Sequence, residues 1–352
     1  MPRTVQPQSP AYTDDERHAV IDFILALRKS QIQDLLRQAE LARSGTKPTL
    51  RERLEDALDD GRLTLEQMVH FLDGVAPWGK QHVFLYAGPT RDVQRWRDPS
   101  YVLRQLKRNR VDGLFNRRLP LVLPERLTLS SIEHSDSKLR ITAVQKRAYS
   151  ERAPEHDEER ESISGAPISL RAYVHHISRT IVAFEWNLRA NTAMLQITQL
   201  HKDTLYEEVA EEFKRLVGKW LNIDEVLQLV DIRKAIRKLH ELEADGKPEA
   251  RSHGIQYRTL RGRRLSAQSP SPQDSVLGEA DIDRAMDTVG KHGVGHLGNI
   301  YWLPNGDSDP TTNPLSKEVH VYIVGDKRRV NFPTPNSEEA VRYVLTRVRE
   351  LS

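Results

Sequence analysis

The sequence predicts an α+β protein, and three observations carry that expectation. Up to about residue 75, apolar side chains recur at helical spacing. Between Leu119 and Leu200 the period becomes two, as in half-buried antiparallel strands. From about Thr204 helical spacing returns, so that helices can cover the sheet. A chain of 352 residues exceeds one ordinary domain. The expected order is a helical module over 1–75, a basic connector over 76–118, a central domain over 119–248 with an antiparallel sheet covered by helices, a basic linker over 249–274, and a small α/β unit over 275–352.

Each element has a local reason. Thr13, followed by Asp14, Asp15 and Glu16, caps a first helix reaching Arg28, with Ala19, Val20, Phe23, Ile24 and Leu27 on one side. A second helix over Ile32 to Ala42 buries Ile32, Leu35, Leu36 and Ala39, and Gly45 is expected to end it. Pro48 suits the first turn of a third helix, lined by Leu50, Leu54, Ala57 and Leu58 and stopped by Gly61. Thr64 and Gln67 form a capping box for a fourth, with Met68, Phe71 and Leu72 behind. Gln81 to Tyr86 reads as a short strand or a helix start, and Tyr101 to Asn109 as a helix. Alternation predicts strands around Leu139 to Ala143, Ile168 to His175, Val182 to Leu188 and Ala193 to Ile197. The acidic stretch Glu151 to Gly165 reads as a mobile surface loop. Helices follow over Thr204 to Trp220, with Leu205 facing inward, and over Ile223 to Ala244. The last unit holds a helix over Asp281 to Val289, strands at Ile300 to Leu303, Val319 to Val324 and Arg329 to Phe332, and a helix capped by Ser337.

Composition narrows the function classes. No cysteine is present, which excludes disulfides, Cys-ligated zinc and a Cys nucleophile. No apolar run reaches the length of a membrane helix, and the polar start resembles no signal peptide. No membrane contact and no cofactor are expected. Net charge is only +3, so local patches carry more information than the total.

The sharpest local pattern is Gly45-Thr46-Lys47-Pro48-Thr49-Leu50-Arg51-Glu52-Arg53-Leu54, spaced G-x-K-x-x-L-x-x-R-L. A tight basic turn here leaves the amides of the third helix free to meet an anion, with Lys47 beside them and Arg51 one turn in. Thr46 and Thr49 can donate hydroxyl hydrogen bonds, and Arg53 can reach a second phosphate or lie along the helices. Such contacts position a protein on a duplex without reading bases. The stretch resembles the SAP-domain family of DNA-binding modules. The resemblance covers the helical module alone, and implies that double-stranded DNA binds at the helix end near Lys47 and Arg51.

Two basic segments can enlarge such a footprint. Residues 91–118 hold nine basic and three acidic side chains, with Arg104, Lys107 and Arg108 on one helical face. Residues 251–264 hold five arginines, Arg251, Arg258, Arg261, Arg263 and Arg264, and no acid. A sheet face bearing Arg140, Arg171, Tyr173 and His175 can in principle stack bases, but covering helices are the simpler expectation.

Other constellations lead away from catalysis. His292-Gly293-Val294-Gly295-His296 has an H-x-x-x-H spacing, but its glycines favour a turn over a metal-binding helix. His175 and His176 alternate on a strand and point apart. Asp203 suits a helix cap. Asp307 and Asp309 lack a bidentate acid at the spacing of a calcium loop. No metal site is assigned. Glu185, between Phe184 and Trp186, is expected to face solvent or pair with an arginine. The resulting expectation is a non-enzymatic DNA-binding protein, nucleoid-associated in a bacterial cytoplasm or nuclear in a eukaryote. Two alternatives stand beside it. Leu63 to Leu72 followed by Gly79-Lys80-Gln81-His82-Val83-Phe84 and a sheet is similar to the N-terminal half of the centromere protein N family, inner-kinetochore adaptors. That likeness implies a protein partner for the central domain within a nucleoprotein complex. The other is a DNA-processing enzyme delivered by the helical module.

Overall fold

The computed structural model describes residues 13–88, 93–117, 120, 123–201, 204–246, 248–304 and 313–352. The chain divides into two compact units, Met1–Ala76 with Leu119–Leu123, and Pro77–Arg118 with Pro124–Ser352. The first contains α1 (Asp14–Ala26), α2 (Lys29–Gln38), α3 (Lys47–Asp59) and α4 (Leu65–Val75). Thr13 and Glu16 close a reciprocal capping box at α1. Thr64 and Gln67 do the same before α4, at 2.7 and 3.2 Å. Ile21, Ile24, Leu36, Leu50, Leu54 and Met68 are all fully buried in one shared cluster. Each such side chain contributes about 1.5–3 kcal/mol relative to exposure.

The second unit is built on one antiparallel sheet. In chain order its elements are β1 (Gln81–Ala87), α5 (Val93–Arg97), α6 (Pro99–Arg108), β2 (Thr128–His134), β3 (Lys138–Arg152), β4 (Glu158–Glu161), β5 (Pro167–Leu170), β6 (Tyr173–Asn187) and β7 (Thr192–Thr198). There follow α7 (Tyr206–Val217), α8 (Ile223–Val226), β8 (Gln228–Leu229), α9 (Arg233–Ala244), β9 (Ala250–Arg258), β10 (Arg264–Gln268), α10 (Ala280–His292), β11 (Val294–Trp302), β12 (Val319–Val324), β13 (Arg329–Phe332) and α11 (Glu338–Glu350). The strand order is β10-β9-β11-β12-β13-β1-β7-β6-β3-β2, with β8 also on β1 and β4–β5 a separate hairpin.

β1 is the hinge of this arrangement. Alternate residues of a strand face opposite sides, and Phe84 and Tyr86 enter one core while Val83 and Leu85 enter the other. The first core is closed by α5, α6, α7 and α8, through Trp96, Val102, Leu106, Phe213 and Ile223. The second is closed by α9, α10 and α11, through Ile236, Met286, Val341 and Val344. Helices therefore cover opposite faces of the two halves of the sheet.

The α+β class is as expected, but several elements differ. The expected linker over 249–274 contains β9 and β10, so the C-terminal strands continue the central sheet instead of forming a separate α/β unit. The apolar residues that commit it, Ile255 and Tyr257, are few but fully buried. The expected connector over 76–118 contributes β1, the most central strand, and packs Trp96 into the core. The helix expected over Ile223 to Ala244 is interrupted by β8, which pairs with Tyr86 and Ala87. The strand expected over Ile168 to His175 is broken at residues 171–172, and the loop at 151–165 holds β4. Leu205 is exposed, not inward. α2 ends before Gly45: Glu40 takes the left-handed conformation, φ 56°, and the Leu41 amide donates to the Leu36 carbonyl. Asp203, Asp307 and Asp309 lie outside the described residues.

Candidate nucleic-acid interface

The turn before α3 is built as a connection first. Gly45 has φ +140°, and a Cβ there would lie 3.1 Å from the Thr49 side chain. The Thr46 hydroxyl leaves the helix amides uncapped and lies 3.0 Å from that of Thr49. Lys47 is exposed and has no ion-pair partner among the described residues. The two arginines are engaged. Arg51 bonds Asp22 and faces Glu55 at 3.6 Å, and the Asp22 hydrogen bond raises its pKa. Arg53 donates to the carbonyls of Ala42 and Ser44 at 2.7 and 2.6 Å, tying α3 to the incoming chain. Residues 13–76 carry nine basic and thirteen acidic side chains, a balance of −4. Of the side chains expected to meet phosphate here, Lys47 retains an unengaged charge, while Arg51 and Arg53 hold the helices together.

The second group is differently placed. Asp98 caps α6 by accepting from the Ser100 amide at 2.9 Å, and Pro99 starts the helix. Val102 and Leu106 are fully buried, which turns Arg104, Lys107 and Arg108 outward on exposed positions. Arg104 meets Asp98 only at 3.9 Å. Residues 93–117 hold seven basic and two acidic side chains. Trp96 cannot offer a ring to a ligand: it is packed against Tyr101, Trp186 and Trp220 at 5.4–6.2 Å. Arg97 is likewise structural, donating to the Leu188 carbonyl at 3.2 and 2.9 Å. Arg91 and Arg118 lie outside the described residues.

At the far sheet edge, the β9–β10 hairpin exposes Arg258, Arg261, Arg263 and Arg264. Arg251 is held by Glu318 and by the Pro272 carbonyl, so it does not belong to that group.

The expected stacking face over Arg140, Arg171, Tyr173 and His175 is not one surface. Arg140 lies 3.8 Å from Glu185, Arg171 is between strands, and Tyr173 and His175 lie at the far end of β6. Glu185 is buried and accepts from Arg342 on α11 at 2.6 and 3.0 Å. Burial alone would raise its pKa, but the Arg342 hydrogen bonds and the Arg342 and Arg140 charges bring it below the ordinary carboxylate value. Single residues in the sequence could not reveal a ring ladder on β9, β11 and β12. There, His253 meets Tyr301 edge-on at 6.0 Å, Tyr301 stacks on His320 at 4.4 Å, and His320 Nε2 donates to Asn299 Oδ1 at 2.7 Å.

His292 ends α10 and His296 lies in β11, so a helix-to-strand corner separates them. No group of three or more potential metal-ligating side chains occurs among the described residues. None of their helices is long and apolar enough to cross a membrane. No protein-family model matches the chain, and no curated protein matches it.

Proposed function

We propose that this is a non-enzymatic DNA-binding protein that contacts duplex phosphates mainly through the outward face of α6, with Lys47 as a lesser contact. The observation that carries this is the exposed trio Arg104, Lys107 and Arg108 on a helix whose other face is locked into the core. A rigid helix spends little conformational entropy on presenting its charges. Binding then releases condensed counterions, so affinity falls steeply with salt and little with base sequence. The contact needs no catalytic group and no cofactor. On this reading the protein works with the nucleoid of a bacterial cytoplasm or in a eukaryotic nucleus.

The test is salt-titrated duplex binding by the full chain. Replacing Arg104, Lys107 and Arg108 by Ala should reduce the log–log salt slope by about 2–3. Lys47→Ala should reduce it by about 1 or less. An unchanged slope in the triple variant overturns the assignment. An adaptor role within a nucleoprotein complex is supported by a separate observation, the apolar residues exposed beyond the sheet on β5 and β6.

A further inference from the structure

We propose that the cleft between the end of α9, the 275–278 segment and α10 binds an aliphatic polyamine, a flexible cation with ammonium groups spaced along methylenes. The cleft measures about 700 Å³, the size of a site for a small molecule. Five carboxylates line it, Glu241, Glu243 and Asp245 at the end of α9 and Asp283 and Asp287 on α10, and no lysine or arginine does. The imbalance holds over the walls as a whole. Residues 240–245 and 275–287 carry seven acidic side chains and one arginine, Arg284, which faces Asp281 at 3.6 Å. From outside the cleft, Arg237 pairs with Glu241 and Lys291 with Asp287, both at 2.6 Å. Glu243, Asp245 and Asp283 have no ion-pair partner among the described residues.

A second observation, separate from the acids, points to an occupant. His240 lies on the inward side of α9 with Ala235, Ile236 and Leu239. It is only 7% exposed, lines the cleft, and meets Tyr257 edge-on at 6.3 Å. Its Nδ1 is sealed from solvent without a hydrogen bond, and its Nε2 has no partner among the described residues. Polar atoms buried and left unpaired are costly. Burial lowers the His240 pKa below 6.5, against the pull of Glu243, Asp283, Asp287 and Glu241. The ring is therefore neutral at pH 7, with four of the five carboxylates acting on it together. A neutral imidazole carries a lone pair that an ammonium N–H can satisfy.

The donor set selects the class of ligand. Among the described residues no three of these groups converge as a metal site requires. Charge spread around a cleft suits a cation whose own charge is spread. No aromatic ring besides His240 lines the cleft, so a quaternary ammonium finds no π face there. Ammonium N–H groups can make charge-assisted hydrogen bonds to the carboxylates, while Ala244 and Leu277 border the methylenes. The walls are set in advance: Glu243 accepts from the Ser252 amide at 2.9 Å, and Asp283 from the Gly278 amide at 3.2 Å. This binding is independent of the duplex contact through α6.

The test is calorimetric titration of the full chain, free of DNA, at physiological salt. Spermidine should bind at one site per chain. Hexamethonium, with two quaternary charges and no N–H, should bind at least tenfold more weakly. Asp245→Asn with Asp283→Asn should weaken spermidine at least tenfold. Glu279→Gln with Asp281→Asn removes the same charge from outside the cleft and should change the affinity less than twofold. His240→Phe keeps a ring against Tyr257 and changes no charge, and should weaken spermidine at least threefold. Asp245→Asn alone, at a carboxylate with no hydrogen bond among the described residues, should do the same without disturbing the fold. Absence of binding, equal binding of hexamethonium, equal losses in the two paired carboxylate variants, or unchanged affinity in His240→Phe overturns the proposal. So does a lysine-rich peptide that binds more tightly than spermidine, because the cleft then takes a partner's side chain.

Discussion

Arg53 illustrates how a charged residue in a binding-like pattern can serve the fold instead. Its two hydrogen bonds reach carbonyls on the far side of the Gly45 turn. Arg53→Ala should therefore cost about 1–2 kcal/mol of stability and leave the salt slope of duplex binding unchanged, with thermal melting and gel shift as the paired measurements. His82 makes a second case at this scale. It is buried with its ring stacked on Tyr206 at 3.6 Å, under the Arg329 guanidinium that lies 4.8 Å over the same tyrosine. Burial, and after it the Arg329 charge, lower its pKa from 6.5 to about 3. The unfolded chain takes up a proton below 6.5 that the folded chain refuses. Its contribution is thus complete above pH 6.5 and is lost as pH falls toward 3. One proton gives a slope of about 1.4 kcal/mol per pH unit. Urea denaturation at pH 7 and pH 5 should show a loss of about 2 kcal/mol from this group. His82→Phe keeps a ring on Tyr206 and should remove that part of the pH dependence.

At the scale of elements, close approach decides as much as periodicity does. α9 lies so near β11 that a Cβ on Gly295 would sit 2.5 Å from the Arg233 carbonyl oxygen and 2.8 Å from Ile236 Cβ. Gly295→Ala should destabilise the sheet unit by about 1–3 kcal/mol, read as a lower urea midpoint. In sequence this glycine belongs to a His-Gly-Val-Gly-His string that suggests a turn; its role is to let a helix backbone touch a strand. The helices of the first unit were legible because each carries its own apolar stripe, and α1 and α4 add the capping boxes Thr13–Glu16 and Thr64–Gln67. β12 and β13 were legible from two-residue alternation. β8 and β9 were not, because a two-residue strand has no period and β9 has only two large inward residues, both committed by partners distant in sequence. Ile168, Leu170 and Val174 alternate as well as any core strand, yet they are exposed. Alternation records a two-sided ribbon, not which side is covered. The site was legible in part: the helical spacing of Arg104, Lys107 and Arg108 placed them correctly on one exposed face. It could not disclose that Asp22 and two carbonyls claim Arg51 and Arg53.

For the molecule as a whole, the separate hydrophobic clusters predict separable unfolding. All five tryptophans, Trp78, Trp96, Trp186, Trp220 and Trp302, lie after Ala76, so their fluorescence reports on the sheet unit alone. Leu36 is fully buried in the helical unit. Leu36→Ala should cost that unit about 2–5 kcal/mol, lowering part of the far-ultraviolet circular dichroism transition while the fluorescence midpoint stays in place. Movement of both midpoints together would mean that the two units unfold as one. The position of β1 has a different consequence, for biosynthesis. Gln81 must wait for Phe332 to complete one of its two flanks. At typical ribosomal speeds of about 5–20 residues per second, that interval is roughly ten to fifty seconds. Throughout it, the nascent chain carries an open seam at its very centre, and a ribosome stalled before Arg329 would release a polypeptide unable to close it.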